Sequence, residues 1–508
     1  MGFLVRLFVP FLPFVSLARA VRSQSHHIQW VNCHEHVPST LAVNDTALVK
    51  LPDTLHCGQL SVPMDYGLPF GPDNSITLGL AMHRPRNPKG AIFVNPGGSD
   101  AVAVLAWEIA LNLTSAFNDL QDYDLMMMDV RGTYSSNPLN VSLPVFDNMP
   151  VSYPRNQSEF DMFQQASSAM FQSWIDNSSP PGIVQFVGTK EVVQDYEQIR
   201  KALGYDSVSF IGISDGTFRA QKYAATFPSR IDRLVLDANV PHGRALHDKA
   251  KDSIKALNRA AQRADAYCQQ SESCPFKKSG KGGVVNALRS FLSAVSANNS
   301  DAATVAGLQS AIGSQLSGQI DFPGFIESLH NAMAGNLSSL LESPPLTVES
   351  VVALPLECGD IPYNRLTYTD FHTSYEQAMA HDATGIGMTV TWQLQLYCSG
   401  WPFHADADTT QNIMTPTVLI AADFDPDAPI EWTLFNLQQL DLNQLSFVVR
   451  HGDGHTSFFI PDQPFAAIGA EFLTGKFPAP TNTSLYTIFS GSSVCYNFPS
   501  PYKVPFDL

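Results

Sequence analysis

Charge is scarce in this chain. Of 508 residues only 15% are charged, and acidic groups outnumber basic ones, 47 Asp and Glu against 30 Lys and Arg, for a formal charge of −17. No run of Lys and Arg occurs, which excludes nucleic-acid partners, because a phosphate backbone is held by clustered cations. An acidic surface instead suits a cationic ligand such as a peptide amino terminus. Long apolar runs are missing after the amino terminus, and a membrane span needs about 20 consecutive apolar residues. Internal repeats and low-complexity tracts are absent too. With 44% hydrophobic residues, the chain can offset the entropy of ordering by burial and should be globular.

The apolar stretch at the amino terminus, Met1 to Ala20, carries an early positive charge at Arg6 and ends in Ala18-Arg19-Ala20. A small-x-small ending of this kind is a secretory cleavage signal. Pro10 and Pro13 interrupt the run and argue against an anchor. Asn-x-Ser/Thr sequons at Asn44, Asn112, Asn140, Asn156, Asn177, Asn298, Asn336 and Asn482 suit a glycosylating secretory route. In an oxidising compartment the seven cysteines suggest three bridges and one leftover thiol. Sequence proximity favours Cys33 with Cys57, Cys268 with Cys274, and Cys358 with Cys398, leaving Cys495, although other connectivities stay open. The expected product is a secreted glycoprotein, soluble after cleavage.

Apolar runs ending in turn residues occur at Ile76–His83, Ala91–Val94, Tyr123–Val130, Val208–Ile213, Arg233–Val240, Thr417–Asp423 and Leu445–Val449. Several are apolar on both faces, as buried parallel strands are. Helical patterns lie between them, clearest at Thr189–Leu203, where Val192, Val193, Tyr196, Ile199 and Leu203 share a face, Thr189 can cap the start and Gly204 the end. Alternating strand and helix predict an α/β fold with a doubly wound, mostly parallel sheet. The alternation lapses between about Gly243 and Pro402, where helical spacing takes over in Ala250, Ile254, Leu257, Ala261 and Ala264, then in Leu308, Ile312 and Leu316. The expected organisation is a leader (1–20), a first core part (21–242), an inserted helical cap (243–402) and a second core part (403–508). Such a cap would sit over the carboxyl ends of the strands, where open α/β sheets bind ligands.

The predicted strand Val208–Ile213 runs into Gly212-Ile213-Ser214-Asp215-Gly216, and a helical pattern follows, stopped at Pro228. Strand, tight turn and helix around Gly-x-Ser-x-Gly form the context of a nucleophile elbow. A serine hydroxyl is a weak nucleophile, so Ser214 needs a histidine base and an acid that orients it. Asp425 follows the strand-like run Val418–Ala422, with Asp423 and Asp427 as competitors, and His455 follows Leu445–Val449, with His451 as its rival. An oxyanion needs amide donors. The Asp215 amide can be one, and Asn95-Pro96-Gly97-Gly98 after an early strand can provide another through Gly97 or Gly98. His34-Glu35-His36 beside Cys33 has metal-ligand residue types but no complementary set at helical spacing, so neither a metal nor another cofactor is expected.

These motifs, taken in order, resemble the secreted tripeptidyl-aminopeptidase-like branch of the prolyl-aminopeptidase family of α/β-hydrolases. The resemblance covers nearly the whole mature chain: Cys57 through Val62-Pro63-Met64-Asp65-Tyr66, Asn95-Pro96-Gly97-Gly98, Asp129-Val130-Arg131-Gly132, Ile199 to Tyr205, the elbow, Leu234-Val235-Leu236-Asp237, Cys358 with Asp360, Cys398 with Trp401-Pro402, Asp425-Pro426 and Gly454-His455. It implies a serine exopeptidase that releases short peptides or single residues from free amino termini, with Glu357 and Asp360 as the acidic residues that hold the substrate ammonium. Two departures touch the site. Asp215 replaces the usual aromatic residue, and Ser99-Asp100 replace the usual Pro-Gly. A carboxylate beside the oxyanion opposes negative charge unless it points away or meets a cation. An esterase, lactonase or amidase acting on a small secreted metabolite is therefore the alternative, and a binding protein that keeps the fold as a scaffold is the third reading.

Overall fold

Alternation of side chains along the strands builds the molecule. In the computed structural model, which describes residues 27–98, 101–298, 302–341, 345–387 and 390–490, the apolar runs become strands of one sheet. The leader, Ser99-Asp100 and Cys495 lie outside the described residues. The strands are β1 (Gln29–Val31), β2 (Leu55–Val62), β3 (Ile76–His83), β4 (Ala91–Asn95), β5 (Asp124–Met128), β6 (Val208–Ile213), β7 (Ile231–Asp237), β8 (Thr417–Phe424), β9 (Leu445–Asp453), β10 (Thr481–Asn482) and β11 (Tyr486–Ser490). They lie in the order β1-β2-β3-β5-β4-β6-β7-β8-β9-β11-β10. From β5 through β9 every pairing is parallel, and the flanking strands pair antiparallel.

β4, β5, β6 and β8 are buried at every position, because both faces are covered. Successive residues feed opposite cores. Phe93, Phe210, Leu236 and Leu419 join one cluster with Tyr196 and Tyr223, while Ile92, Val94, Ile211, Val235 and Ile420 join the other with Trp107 and Phe472. Their helices Thr189–Leu203 and Asp215–Thr226 thus cover one face, and Val104–Ala110 and Phe465–Leu473 the other.

One capping expectation needs correction. Gly188, not Thr189, is the amino-terminal cap of Thr189–Leu203. Thr189 is already helical, and its hydroxyl donates to Asp360 Oδ2 at 2.7 Å. A carboxylate brought in from far along the chain thus does the capping. Gly204 ends the helix in the left-handed conformation, as expected (φ 81°). β1, β2, β10 and β11, the outermost strands at the two ends of the sheet, escaped the sequence reading; β1 and β10 are only three and two residues long, and β2 breaks its apolar run with His56, Gln59 and Ser61.

Between β7 and β8 the described residues hold helices and no strand, beginning with Leu246–Gln270. That helix divides its apolar stripe. Ala250 and Ile254 belong to the main core, whereas Leu257, Ala261 and Ala264 join a separate cluster with Leu308, Ile312 and Leu316. The helix Gln157–Asn177, lying before β6, buries Phe163, Met170, Phe171 and Trp174. It holds the far end of the helical segment, where Ser167 Oγ accepts from the Gly400 amide at 2.9 Å. Cys33–Cys57, Cys268–Cys274 and Cys358–Cys398 are bridged, with Cα separations of 5.3, 5.2 and 5.2 Å.

Candidate active site

Ser214 sits between β6 and the helix Asp215–Thr226 with φ 54° and ψ −127°, outside the conformations a serine adopts freely. Such strain persists only where its surroundings enforce it. The enforcement is visible. A Cβ on Gly212 would lie 2.6 Å from the Gly216 carbonyl oxygen, and one on Gly97 would lie 2.8 Å from the Asp215 nitrogen. The Ser214 amide donates to the Asp237 carbonyl at 2.9 Å, and its own carbonyl accepts from Thr217 Oγ1 at 2.6 Å. The hydroxyl is thus presented at the positive end of a 12-residue helix.

Asp425 stands one residue beyond β8 and is 1% exposed. Its Oδ1 accepts the amides of Asp427 and Ala428 at 2.9 and 2.8 Å, which fixes the carboxylate in its turn. His455 lies two residues beyond β9. Its Nδ1 meets Asp425 Oδ2 at 2.9 Å and Oδ1 at 3.1 Å, and its Nε2 meets Ser214 Oγ at 3.0 Å. Acid, base and hydroxyl form one chain of hydrogen bonds. Burial works against a charged imidazole here, but the Asp425 carboxylate, by charge and hydrogen bond, with Asp427 and Asp237 behind it, pushes the His455 pKa up to about 9.

Two residues that sequence reasoning passed over hold the His455 loop. Buried Arg450 donates to the carbonyls of Asp453, Gly454 and Thr456 at 2.7, 2.6 and 3.0 Å and to Ser457 Oγ at 2.9 Å. Buried Asp237 accepts the Ser457 and Phe458 amides at 2.6 and 2.8 Å through Oδ2. A signal for both existed, since each is a charge closing an apolar strand run. The competitors go elsewhere. His451 Nδ1 pairs with Asp423 Oδ2 at 2.7 Å and its Nε2 with Thr487 Oγ1 at 2.8 Å.

Of the two glycine-loop candidates, Gly97 turns its amide inward to Asn95 Oδ1 at 2.9 Å. Gly98, the exposed neighbour of Gly97, is the other candidate of that loop. Asp215, first in its helix, has no acceptor within the helix for its own amide. Asn95 is braced in turn, its Nδ2 donating to the Tyr196 hydroxyl at 2.9 Å.

Ser214 and Asp215 open into a cavity of about 320 Å³ whose walls include Glu357, Asp360, Arg219 and Lys249. The two acids implied by the resemblance thus reach the nucleophile's cavity, but they differ. Asp360 gives both oxygens to Thr189, one to its amide and one to its hydroxyl. The Glu357 carboxyl makes no hydrogen bond among the described residues. Burial raises its pKa to about 8, with the charges of Asp215 and Asp360 adding and Arg219 opposing. Asp215 is not turned away from the cavity.

Among the described residues, side chains that converge closely enough to share a metal ion are Asp425, Asp427 and His455. All three are engaged in hydrogen bonds of the site. His34, Glu35 and His36 are exposed on a short turn beside Cys33.

The family model described as alpha/beta hydrolase fold matches residues 90–462. The chain belongs to that family. Within it, the chain is 27% identical over 264 residues to serine protease Hip1 of Mycobacterium tuberculosis, covering 49% of this chain and 46% of Hip1. It is 26% identical over 240 residues to a tripeptidyl aminopeptidase of Streptomyces lividans, covering 44% and 40%. Carboxylesterase B of Mycobacterium tuberculosis is 24% identical over 255 residues, covering 49% and 46%. The chain thus spans less than half the length of each of these relatives.

Proposed function

We propose that the chain is a secreted serine exopeptidase that acts on free amino termini through an acyl-enzyme on Ser214. The observation that carries this reading is the continuous Asp425–His455–Ser214 hydrogen-bond chain, opening on a cavity that holds Glu357, a carboxyl with no hydrogen-bond partner among the described residues. His455 Nε2 takes the hydroxyl proton as Ser214 Oγ attacks the scissile carbonyl, and the amides of Asp215 and Gly98 receive the oxyanion. His455 then returns that proton to the leaving amine, and water releases the acyl group by the same steps. Asp425 stays ionised and holds the imidazole in the tautomer the transfer needs.

Glu357 and Asp215 would receive the substrate ammonium. An unpaired carboxyl whose charge is disfavoured by burial gains most when a cation arrives. Asp215 thereby loses its awkwardness, because its carboxylate serves the ammonium while its amide serves the oxyanion. The helical segment 243–402 acts as a cap that admits chain ends and excludes folded proteins. Secretion and glycosylation are supported by the leader and by sequons whose asparagines, wherever their side chains are described, are all exposed. No helix among the described residues is long and apolar enough to cross a membrane.

The test compares aminoacyl, prolyl and tripeptidyl amides with free and with blocked amino termini on purified mature protein. Free substrates should turn over about 10- to 100-fold better, the range of one lost charge-assisted contact, and Glu357→Gln should erase that preference by raising KM for the free form alone. Equal turnover of both forms would leave the exopeptidase reading without support. Similarity to a carboxylesterase and an apolar wall that includes Phe218, Ile361 and Trp432 favour the esterase or amidase alternative. Short acyl esters turned over with no peptide amide cleaved would establish it.

A further inference from the structure

Asp427 entered as a rival for the catalytic acid, but its carboxylate is engaged by the helical segment. Ser317 Oγ donates to Oδ1, and the Gly318 amide donates to Oδ2 at 2.7 Å. Ser317, Gly318 and Gln319 form the turn between the helices Ala302–Gln315 and Phe322–Met333. The same turn reaches His455 itself. The Gly318 carbonyl accepts the His455 amide at 2.8 Å, and Gln319 Nε2 donates to the His455 carbonyl. Gly454 permits the approach, since a Cβ there would stand 2.9 Å from Gln319 Oε1 and 3.0 Å from the Gly318 oxygen.

Asp427 also faces the acid. Its amide donates to Asp425 Oδ1 at 2.9 Å, so one residue links Asp425 through its main chain to the turn through its side chain, and the turn links onward to His455. Two paired ion bridges flank this connection. Arg259 binds Glu431 at 2.7 and 2.8 Å, just after the acid turn, and Arg263 binds Asp453 at 2.7 and 2.8 Å, two residues before His455. Both arginines are on the helix Leu246–Gln270. The helical segment therefore grips the loops of acid and base, and it does so beside the reacting atoms.

We infer that Asp427 is a positioning residue through which the turn Ser317–Gln319 holds Asp425 and His455 in register, so that the triad is complete only when the helical segment is seated. The inference rests on the Ser214 hydrolase reading. Small displacements explain why this matters, because a shift of about 1 Å at a reacting group can lower a rate about 100-fold. Asp427 also stands with Asp425 and Asp237 among the negative groups that face His455.

The test uses the full mature chain, a small acyl ester that does not need the ammonium contact, and the variants Asp427→Asn and Gln319→Ala. Both should lower kcat by about 10-fold or more with KM nearly unchanged. Asp427→Asn, which removes a negative charge, should also move the acid limb of the kcat/KM profile to lower pH, whereas Gln319→Ala should leave the limb in place. A purely structural contact would lower Tm without moving the limb. If Asp427→Asn does not fold, Ser317→Ala with Gln319→Ala decides: loss of kcat supports the inference, and a retained kcat overturns it. Wild type active with both single variants within 2-fold of it would overturn the positioning role alone. A wild type inert toward every ester and amide would overturn the hydrolase reading and this inference with it.

Discussion

Two Asp–His pairs stand side by side at the ends of β8 and β9. Asp425 with His455 and Asp423 with His451 have the same form, a buried carboxylate on Nδ1 at 2.9 and 2.7 Å and a hydroxyl on Nε2 at 3.0 and 2.8 Å. What differs is the hydroxyl and its surroundings. Ser214 lies in a strained turn at a helix start, whereas Thr487 lies within β11, between β9 and β10, and gives its hydroxyl proton to Asn482 Oδ1 at 3.0 Å. Proton-relay geometry is thus common to both pairs, and reactivity depends on what can stabilise the oxyanion. The Asp423 pair is a tie between β8, β9 and β11.

The largest expected contrast follows directly. Ser214→Ala and His455→Ala should each lower kcat by about 10⁴-fold or more and abolish fluorophosphonate labelling, while His451→Ala should keep both. Substantial activity in either triad variant would break the comparison.

A smaller contrast concerns the acids. Asp425→Asn should cost about 10³- to 10⁴-fold in kcat, against little for Asp423→Asn. The sign of its pH effect can be worked out. Protonated His455 cannot accept the serine proton, so kcat/KM should rise with pH toward about 9. Removing the Asp425 charge should lower that pKa and carry the limb to lower pH, whereas an unmoved limb would assign the ionisation to another group.

The smallest effect is on stability. Because folding raises the His455 pKa from 6.5 to about 9, its contribution is fully present below pH about 6.5 and fades as pH rises through about 9. Wild type should therefore exceed His455→Ala in Tm by a margin that narrows across that window, measured by thermal melts at several pH values. A constant margin would mean that the ion pair does not contribute to folding.

Local pattern made part of this legible. Apolar runs marked β3 and β6 to the residue, because strands covered on both faces are mostly apolar, with only Thr77, His83 and Ser209 as polar positions. Gly212 and Gly216 marked the elbow, because the backbones there approach too closely for a side chain. His455 and its rival His451 both follow the same apolar run, with His451 nearer the strand; the hydrogen bonds show that His455 is the histidine that reaches Ser214. Arg450 and Asp237 stand out in the sequence as charges at apolar strand runs, but what they hold does not, because the loop carbonyls and amides they bind carry no residue-type signature.

By itself the sequence determined the strand order of events: a serine turn after one buried strand, an acid after a later one, a histidine after the next, and a helical stretch between. Periodicity and turn chemistry are local, and a linear chain displays them. Only tertiary structure decided which acid meets which histidine, that the Gly97 amide turns inward to Asn95, that Asp215 and Glu357 line one cavity, and that Asp427 joins a turn 109 and 110 positions away. Those outcomes depend on a few ångströms between segments remote in sequence, and such distances are set by how the sheet and the helices pack.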